Sequence, residues 1–293
     1  MTLGGGTIAA LVGAAGDRLV SAGIPAIEAR LDAELLARVA LGGWDRATFI
    51  VRAPEPAPAG AAEALEPLVA RRLRREPMAY ILGRSEFWGL DLEVTPDVLI
   101  PRPETELIVE VASALFAGVP PPGVIVDVGT GSGCLAIALA REFPGARIVA
   151  TDVSRAALEV ARRNAATHGV GGRIDFSLAT LTGRATGAAL VVSNPPYVTD
   201  ADRVSLQPEV RDYEPAGALF AGPDGLDVIR PLTGAAWGAL APGGWLVFEF
   251  GFGQDVAVQA LLDAGPPGGR WTDRRIHRDL QGIPRTAAAR KAP

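Results

Sequence analysis

The chain of 293 residues is short of the side chains on which most metal, redox and nucleophilic chemistry depends. It has one cysteine, Cys134, so no intramolecular disulfide can form, and a reducing cytoplasm is the expected setting. Its two histidines, His168 and His277, stand far apart with no ligand spacing around them, and no metal site is expected. Cys134 falls in the first turn of an expected helix, where a thiol can be activated. No base is paired with it in the sequence, and it reads as a small packing residue. No apolar run approaches the ~18 residues a membrane span needs. Met1 to Val12 lacks the basic region and cleavage site of a secretory leader. Positive charge is also in deficit: 28 Lys and Arg stand against 33 Asp and Glu, a net charge of −5. That balance argues against a surface built to grip nucleic-acid phosphates. The densest basic cluster, Arg71, Arg72, Arg74 and Arg75, reads as the solvated face of a helix. Nothing suggests a large exposed apolar stripe, so a monomer is expected.

What is present is a globular composition. The chain is 48% hydrophobic, enough to bury a real core, and its length suggests about two domains. From Thr7 to about Arg75 the pattern is helical, with Leu31, Leu35, Leu36 and Val39 recurring at spacings of three and four. The proline-rich stretch Ala53 to Pro58 interrupts it, and a further helix is expected over Ala61 to Arg75. Ser85 to Val98 alternates in part around Gly89 and Pro96, which suits a hairpin or extended linker. A helix is expected over Thr105 to Phe116, with Pro103 near its start and Glu104 and Glu106 at its positive end. From Gly123 strands and helices alternate. Strands are expected at Val124 to Val128, Arg147 to Thr151, Ile174 to Leu178, Leu190 to Ser193 and Trp245 to Phe250, and a further one at Trp271 to Ile276. Helices are expected at Ser132 to Arg141, Ser154 to His168 and Asp227 to Leu240. That order predicts an α/β fold with a doubly wound parallel sheet. Arg285 to Pro293 reads as a frayed tail.

The first of these strands runs into Asp127-Val128-Gly129-Thr130-Gly131-Ser132-Gly133, and a helix follows at once. Glycines let a backbone turn sharply and approach a ligand. A dinucleotide fingerprint would place its third glycine at 134, where this chain has Cys134. The spacing G-x-G-x-G suits a methyltransferase nucleoside loop better. The next strand ends in Asp152, whose carboxylate can accept the ribose hydroxyls of a bound nucleoside, although it also lies in the cap region of the following helix. Asp127 can hold the loop amides or the ligand's amino group.

Ser193-Asn194-Pro195-Pro196-Tyr197 follows the fourth strand. In a parallel sheet such a strand end faces the glycine loop. Two prolines stiffen the chain and remove two N–H donors. The Asn194 side-chain carbonyl and the Pro195 backbone carbonyl remain as acceptors. Two fixed acceptors can hold the N–H bonds of an amide or exocyclic amino group while its lone pair turns toward a methyl donor, and Tyr197 offers a flat face for stacking. Such a site works by positioning and by stabilising charge on nitrogen, with no prior general base.

These residues carry a resemblance. A glycine loop followed by NPPY is shared by adenine-N6 DNA, guanine-N2 rRNA and protein glutamine-N5 methyltransferases. The flanking segments narrow the choice. Tyr80-Ile81-Leu82-Gly83, Glu86-Phe87-Trp88-Gly89-Leu90 and Val98 through Pro101-Arg102-Pro103-Glu104-Thr105-Glu106 resemble the peptide-chain-release-factor glutamine methyltransferases, the PrmC/HemK family. So do Val210-Arg211-Asp212-Tyr213-Glu214-Pro215, Ala218-Leu219-Phe220, Asp224-Gly225-Leu226, Glu249-Phe250-Gly251 with Gln254, and Arg278-Asp279-Leu280 through Arg285. The resemblance covers nearly everything from Tyr80 onward.

It implies a helical substrate-docking domain over 1–83, a β-hairpin linker over 84–104 and a seven-stranded, Rossmann-like class I methyltransferase domain over 105–293. It implies S-adenosylmethionine as cofactor, leaving as S-adenosylhomocysteine. Asp127, Gly129, Thr130, Gly131, Ser132, Gly133, Asp152, Thr180 and Asn194 would bind it. The glutamine of the GGQ loop of class 1 release factors would lie on Asn194, Pro195, Pro196 and Tyr197, with Asn194, Pro195 and Tyr197 catalytic. Neither a membrane nor direct nucleic-acid contact is implied. The alternatives are an exocyclic amino group of DNA or rRNA, or a ribosomal-protein glutamine. Two departures stand out. Ser177-Leu178-Ala179-Thr180-Leu181 lacks the acidic residue that usually follows the third strand and reaches the adenine. Ala188-Ala189 stands where an aspartate often precedes the fourth strand.

Overall fold

The computed structural model describes residues 6–293; the first five residues of the expected 1–83 domain, part of the Met1 to Val12 segment, lie outside the described residues. The chain forms two compact units, Met1–Gly83 with Pro208–Tyr213, and Arg84–Gln207 with Glu214–Pro293.

The first unit is helical: α1 (Ile8–Ser21), α2 (Ala26–Ala40), α3 (Arg46–Arg52), α4 (Ala61–Leu73) and α5 (Met78–Leu82), joined by the short helix Pro208–Tyr213. Thr7 caps α1 by accepting the Ala10 amide at 3.2 Å, and Asp45 caps α3 by accepting that of Thr48 at 2.7 Å. The α2 helix turns inward on small residues. Ala29, Ala33, Leu36 and Ala37 are buried, whereas Leu31 is 51% exposed. The apolar periodicity thus marks a helix, but alanines carry much of its packing face.

The arginine cluster corrects the expectation of a solvated face. Arg72 is 1% exposed. Its Nε donates to Asp32 at 2.7 Å, and its two terminal nitrogens donate to Glu209 and Glu28 at 2.6 Å each. Arg75 also donates to Glu209, and Arg71 pairs with Glu76. A buried guanidinium with five donors requires such partners, and carboxylates distant in sequence supply them. Burial pushes the Asp32 carboxyl above its ordinary range despite Arg72.

The second unit opens with an antiparallel hairpin, β1 (Arg84–Phe87) and β2 (Leu90–Glu93), and then α6 (Glu106–Leu115). The α/β series follows: β3 (Val124–Val128), α7 (Cys134–Glu142), β4 (Arg147–Asp152), α8 (Arg155–Thr167), β5 (Ile174–Leu178) and β6 (Ala188–Ser193). After α9, the Pro208–Tyr213 helix of the first unit, come α10 (Ile229–Ala239), β7 (Leu240–Glu249), α11 (Asp255–Ala264), β8 (Trp271–Arg278) and β9 (Pro284–Lys291). The seven-stranded sheet runs β5-β4-β3-β6-β7-β9-β8, parallel except for β9.

Alternate residues of each strand feed opposite faces. Ile125, Ile148, Leu190, Val247 and Ala288 pack with α6, α7 and the hairpin residues Phe87, Leu90 and Leu92. Val126, Val191, Leu246, Phe248 and Ala287 pack with α10 and α11. Both faces are covered, as the continuous apolar runs require. The C-terminal segment read as a frayed tail is instead β9, an inner strand hydrogen-bonded to both β7 and β8, with Ala287, Ala288 and Ala289 fully buried.

Candidate active site

The chain reverses winding direction between β3 and β6, and in open α/β sheets ligands collect at such a switch point, beyond the strands' carboxyl ends. A cavity of about 450 Å³ lies there. That is within the range of small-molecule and cofactor sites, ~300–1,000 Å³. Its wall includes Gly129, Thr130, Gly131, Ser132, Asp152, Thr180, Asn194 and Pro196. Asp127, Gly133, Pro195 and Tyr197 are not on the wall, and their places explain why. A wider, open hollow of about 840 Å³ near Trp237 and Gly265 has only Arg270 and Lys291 as charged side chains and no acid–base pair.

Asp127 lies fully buried behind the loop. Its Oδ2 accepts the Thr130 hydroxyl at 2.6 Å and the Ala136 amide at 3.1 Å, which holds both ends of the turn. Burial pushes its carboxyl up to about 7, and its Oδ1 has no partner. The amides of Gly129 and Thr130 both donate to the Thr151 carbonyl at 2.9 Å, stitching the loop to β4. Gly129, Gly131 and Gly133 all have positive φ. A Cβ on Gly133 would lie 3.1 Å from that of Ala161, so this glycine lets α7 and α8 approach. Cys134 begins α7, and burial pushes its thiol up to about 12, which leaves it protonated and unreactive.

Asp152 serves the loop and the next helix together. Its Oδ2 accepts the Gly131 amide at 2.9 Å and its Oδ1 the Ser154 amide at 2.8 Å, while the Ser154 hydroxyl caps α8. A carboxylate has about four acceptor positions. Two remain, on a side chain that lines the cavity. The segment after β5 contributes Ala179, Thr180 and Leu181 without an acidic side chain. Leu181 sits at φ 51° and its carbonyl accepts the Thr151 hydroxyl at 2.6 Å. The glycine-lined cradle and the half-satisfied Asp152 therefore fit a nucleoside.

The end of β6 is fastened on every side. The Ser193 hydroxyl donates to the Val128 carbonyl at 2.8 Å, drawing β6 to β3. Pro195 is buried. Gln254 donates to the Tyr197 carbonyl at 3.0 Å and accepts the Gly251 amide at 2.7 Å. Two supports were not assigned from the sequence: Thr105, just before α6, and Glu249, the last residue of β7. Asn194 Nδ2 donates to Thr105 Oγ1 at 2.9 Å, and the Tyr197 hydroxyl donates to Glu249 Oε1 at 2.9 Å. The readable signal was a carboxylate closing the apolar run Trp245–Phe248, since a buried charge needs partners. Burial raises the Glu249 carboxyl above its ordinary range, opposed by its hydrogen bonds. Burial and the Glu249 charge hold the Tyr197 phenol protonated, so it is no base. Among the described residues no group of histidine, cysteine and carboxylate side chains could hold a metal ion, and no helix is long and apolar enough to cross a membrane.

Fold and site together define a class I methyltransferase, with S-adenosylmethionine as its methyl donor. The model of the methyltransferase small domain matches residues 105–209, and that of the PrmC N-terminal domain matches residues 11–83. The chain is 47% identical over 236 residues to the release factor glutamine methyltransferase of Geobacter sulfurreducens, covering 80% of this chain and 81% of that one. It is 43% identical to the enzyme of the same name from Burkholderia pseudomallei, over 89% of this chain and 91% of the relative. The chain belongs to the release factor glutamine methyltransferase family. Among solved structures, the hMettl16 catalytic domain in complex with MAT2A 3'UTR hairpin 1 aligns with a TM-score of 0.54 at 14% identity, over 80% of this chain and 83% of that one. That likeness is one of fold.

Proposed function

We propose that this chain transfers the methyl group of S-adenosylmethionine to the side-chain amide nitrogen, N5, of the glutamine in the GGQ loop of class 1 peptide chain release factors. The observation that carries this reading is the Asn194-Pro195-Pro196-Tyr197 tip, with Asn194 and Pro196 on the same cavity wall as the glycine loop and Asp152. Relatives at 47% and 43% identity are named release factor glutamine methyltransferase.

The residues divide the work. Gly129 to Ser132 would cradle the cofactor and Asp152 would accept its ribose hydroxyls, with Thr180 on the same wall. When bound, the sulfonium would supply an electrophilic methyl group, the C–S electron pair going to sulfur as the N–C bond formed. Asn194 Oδ1 accepts one amide hydrogen of the substrate and so turns the nitrogen lone pair toward the methyl group. The Pro195 carbonyl accepts the other, and Tyr197 bounds the acceptor plane. Positive charge developing on nitrogen is met by carbonyl oxygens held in place by the fold. The extra N–H proton leaves to solvent once the bond has formed, so no base need act first. The helical unit serves substrate docking, and the enzyme works as a cytoplasmic monomer. A net charge of −5 is in keeping with a protein rather than a nucleic-acid substrate.

The test is methyl transfer from labelled S-adenosylmethionine to purified release factor, comparing the natural GGQ loop with a Gln→Ala version. Label on the natural factor alone supports the reading. Label on DNA or rRNA instead, with none on either factor, would falsify it. Asn194→Ala should abolish turnover and keep cofactor affinity within about threefold; turnover near wild type would remove the acceptor role of Asn194.

A further inference from the structure

The polarity of the strand tip is decided by residues that do not belong to it. The Thr105 hydroxyl donates to Glu249 Oε2 at 2.7 Å while it receives Asn194 Nδ2 at 2.9 Å, and both Thr105 and Glu249 are 1% exposed. A hydroxyl has a single hydrogen. That of Thr105 is committed to Glu249 Oε2. Toward Asn194 the Thr105 oxygen can therefore only accept. The Asn194 amide must present Nδ2 inward, and Oδ1 has no protein partner among the described residues. The opposite flip would set two acceptor oxygens against each other with no hydrogen between them. On its other oxygen Glu249 consumes the Tyr197 hydroxyl at 2.9 Å.

We propose that Thr105 and Glu249 are positioning residues that fix Asn194 with Oδ1 presented as an acceptor beside the carbonyls of the strand tip, and that this polarity selects a primary amide over a carboxylate. The inference rests on the glutamine reading above. Asn194 Nδ2 directs one of its two N–H bonds, and the Thr105 and Tyr197 hydroxyls their single hydrogens, to partners behind the tip. Pro195 and Pro196 have no N–H to offer. A glutamine brings two N–H bonds to this surface. A glutamate brings only lone pairs, which would face carbonyl oxygens unpaired. Sites built to hydrogen-bond a given group reject an analogue lacking it by large factors, ~10⁴–10⁵.

The experiment compares wild type, Thr105→Val, Thr105→Ser and Glu249→Gln in steady-state methyl transfer to full-length release factor, with cofactor affinity measured by calorimetry. Thr105→Val keeps the volume and deletes the hydroxyl, freeing the Asn194 amide to flip. Its kcat should fall about 30- to 100-fold, as for loss of one preorganised polar contact. The KM for release factor and the cofactor Kd should stay within about threefold. Thr105→Ser should recover most of the loss. In Glu249→Gln one acceptor oxygen becomes a donor, so a hydroxyl must reverse, and the same split between kcat and KM is expected. This variant decides the matter if Thr105→Val also loses cofactor binding, because Glu249 does not line the cavity. Wild-type label on the factor with unchanged kcat in both variants overturns the inference and leaves the glutamine reading standing. No wild-type label on the factor overturns both. A Gln→Glu release factor should gain no base-labile methyl ester; ester formed above about a hundredth of the glutamine rate overturns selection by the acceptor polarity of the tip.

Discussion

Gly225 offers a sharp test of how rigidly the strand tip must be held. It sits at φ 72°, and a Cβ there would lie 2.2 Å from the Tyr197 carbonyl oxygen, 2.4 Å from Gln254 Nε2 and 3.1 Å from the Tyr197 carbonyl carbon. Ordinary non-bonded contacts lie at about 3.5 Å or more. The overlap is therefore more than ~1 Å. Gln254 cannot simply swing aside, because it bonds the Gly251 amide at 2.7 Å and the same Tyr197 carbonyl at 3.0 Å. In Gly225→Ala the backbone at Tyr197 must give, by about 1 Å, and a displacement of that size can cost roughly 100-fold in rate. The left-handed backbone adds ~1–2 kcal/mol and the overpacking ~1–3 kcal/mol, a stability loss of about 2–5 kcal/mol. The assay is single-turnover methyl transfer at saturating cofactor and release factor, well below the variant's melting temperature. Gly282→Ala is the control: that residue is also left-handed, but nothing lies within 4 Å of its would-be Cβ. It should lose about 1–2 kcal/mol and no rate. A folded Gly225→Ala with turnover within threefold of wild type would refute the claim that the approach of Gly225 sets the tip.

Three further outcomes are expected. Asp152→Ala should weaken S-adenosylmethionine binding about 10- to 100-fold by calorimetry, matching ~1.5–3 kcal/mol for hydrogen bonds to a charged group, with KM for the release factor unmoved. Asp127 titrates at about 7 in the fold, against an ordinary value near 4 in the unfolded chain. The native state therefore holds this proton more tightly than the unfolded state. Its stabilising share is full below pH ~4 and is lost as pH rises to ~7, by about 4 kcal/mol at most. Urea unfolding of wild type relative to Asp127→Asn should show that slope, and parallel curves from pH 4 to 8 would refute the burial effect. Arg72→Met leaves the buried Asp32 without its cation, while Glu209 keeps Arg75, and should cost about 3–5 kcal/mol in urea unfolding of the full chain; a loss below 1 kcal/mol would show that the cluster relaxes.

The sheet was readable where its strands are buried on both faces. Val124–Val128 and Leu190–Ser193 lie where their apolar runs put them, since a strand covered by helices on both sides has no polar face to interrupt it. The last strand escaped for the same physical reason in reverse. Pro284–Lys291 has three arginine or lysine residues and an Ala287-Ala288-Ala289 centre, with Thr286 its one β-branched residue and no aromatic side chain to mark a strand. Its place between β7 and β8 follows from pairing with Trp245–Glu249 and Trp271–Arg278, which a local reading cannot supply. The arginine cluster failed similarly. Charge density on a helix reads as solvation, and only the fold brings Asp32 and Glu209 to Arg72.

The candidate site divides along the same line. Its glycine loop, Asp152 and NPPY tip are local motifs, because a turn or a stiffened strand end is decided by neighbouring residues. Their supports are long-range: Asn194 and Thr105 are 89 residues apart, Thr105 and Glu249 144, and Tyr197 and Glu249 52. A motif states which atoms are offered to a substrate, and a sequence can carry that. Which way an amide or hydroxyl points is settled by the groups behind it, and these arrive only when the sheet closes. Glu249 illustrates how far such a reading could have gone. A carboxylate closing a continuous apolar strand cannot be left unpaired. Its presence demands donors at the carboxyl ends of neighbouring strands, and Tyr197 follows just such an end. A buried acid at a strand terminus is therefore a pointer to the polarity of the adjacent site, legible in type before its partners are known.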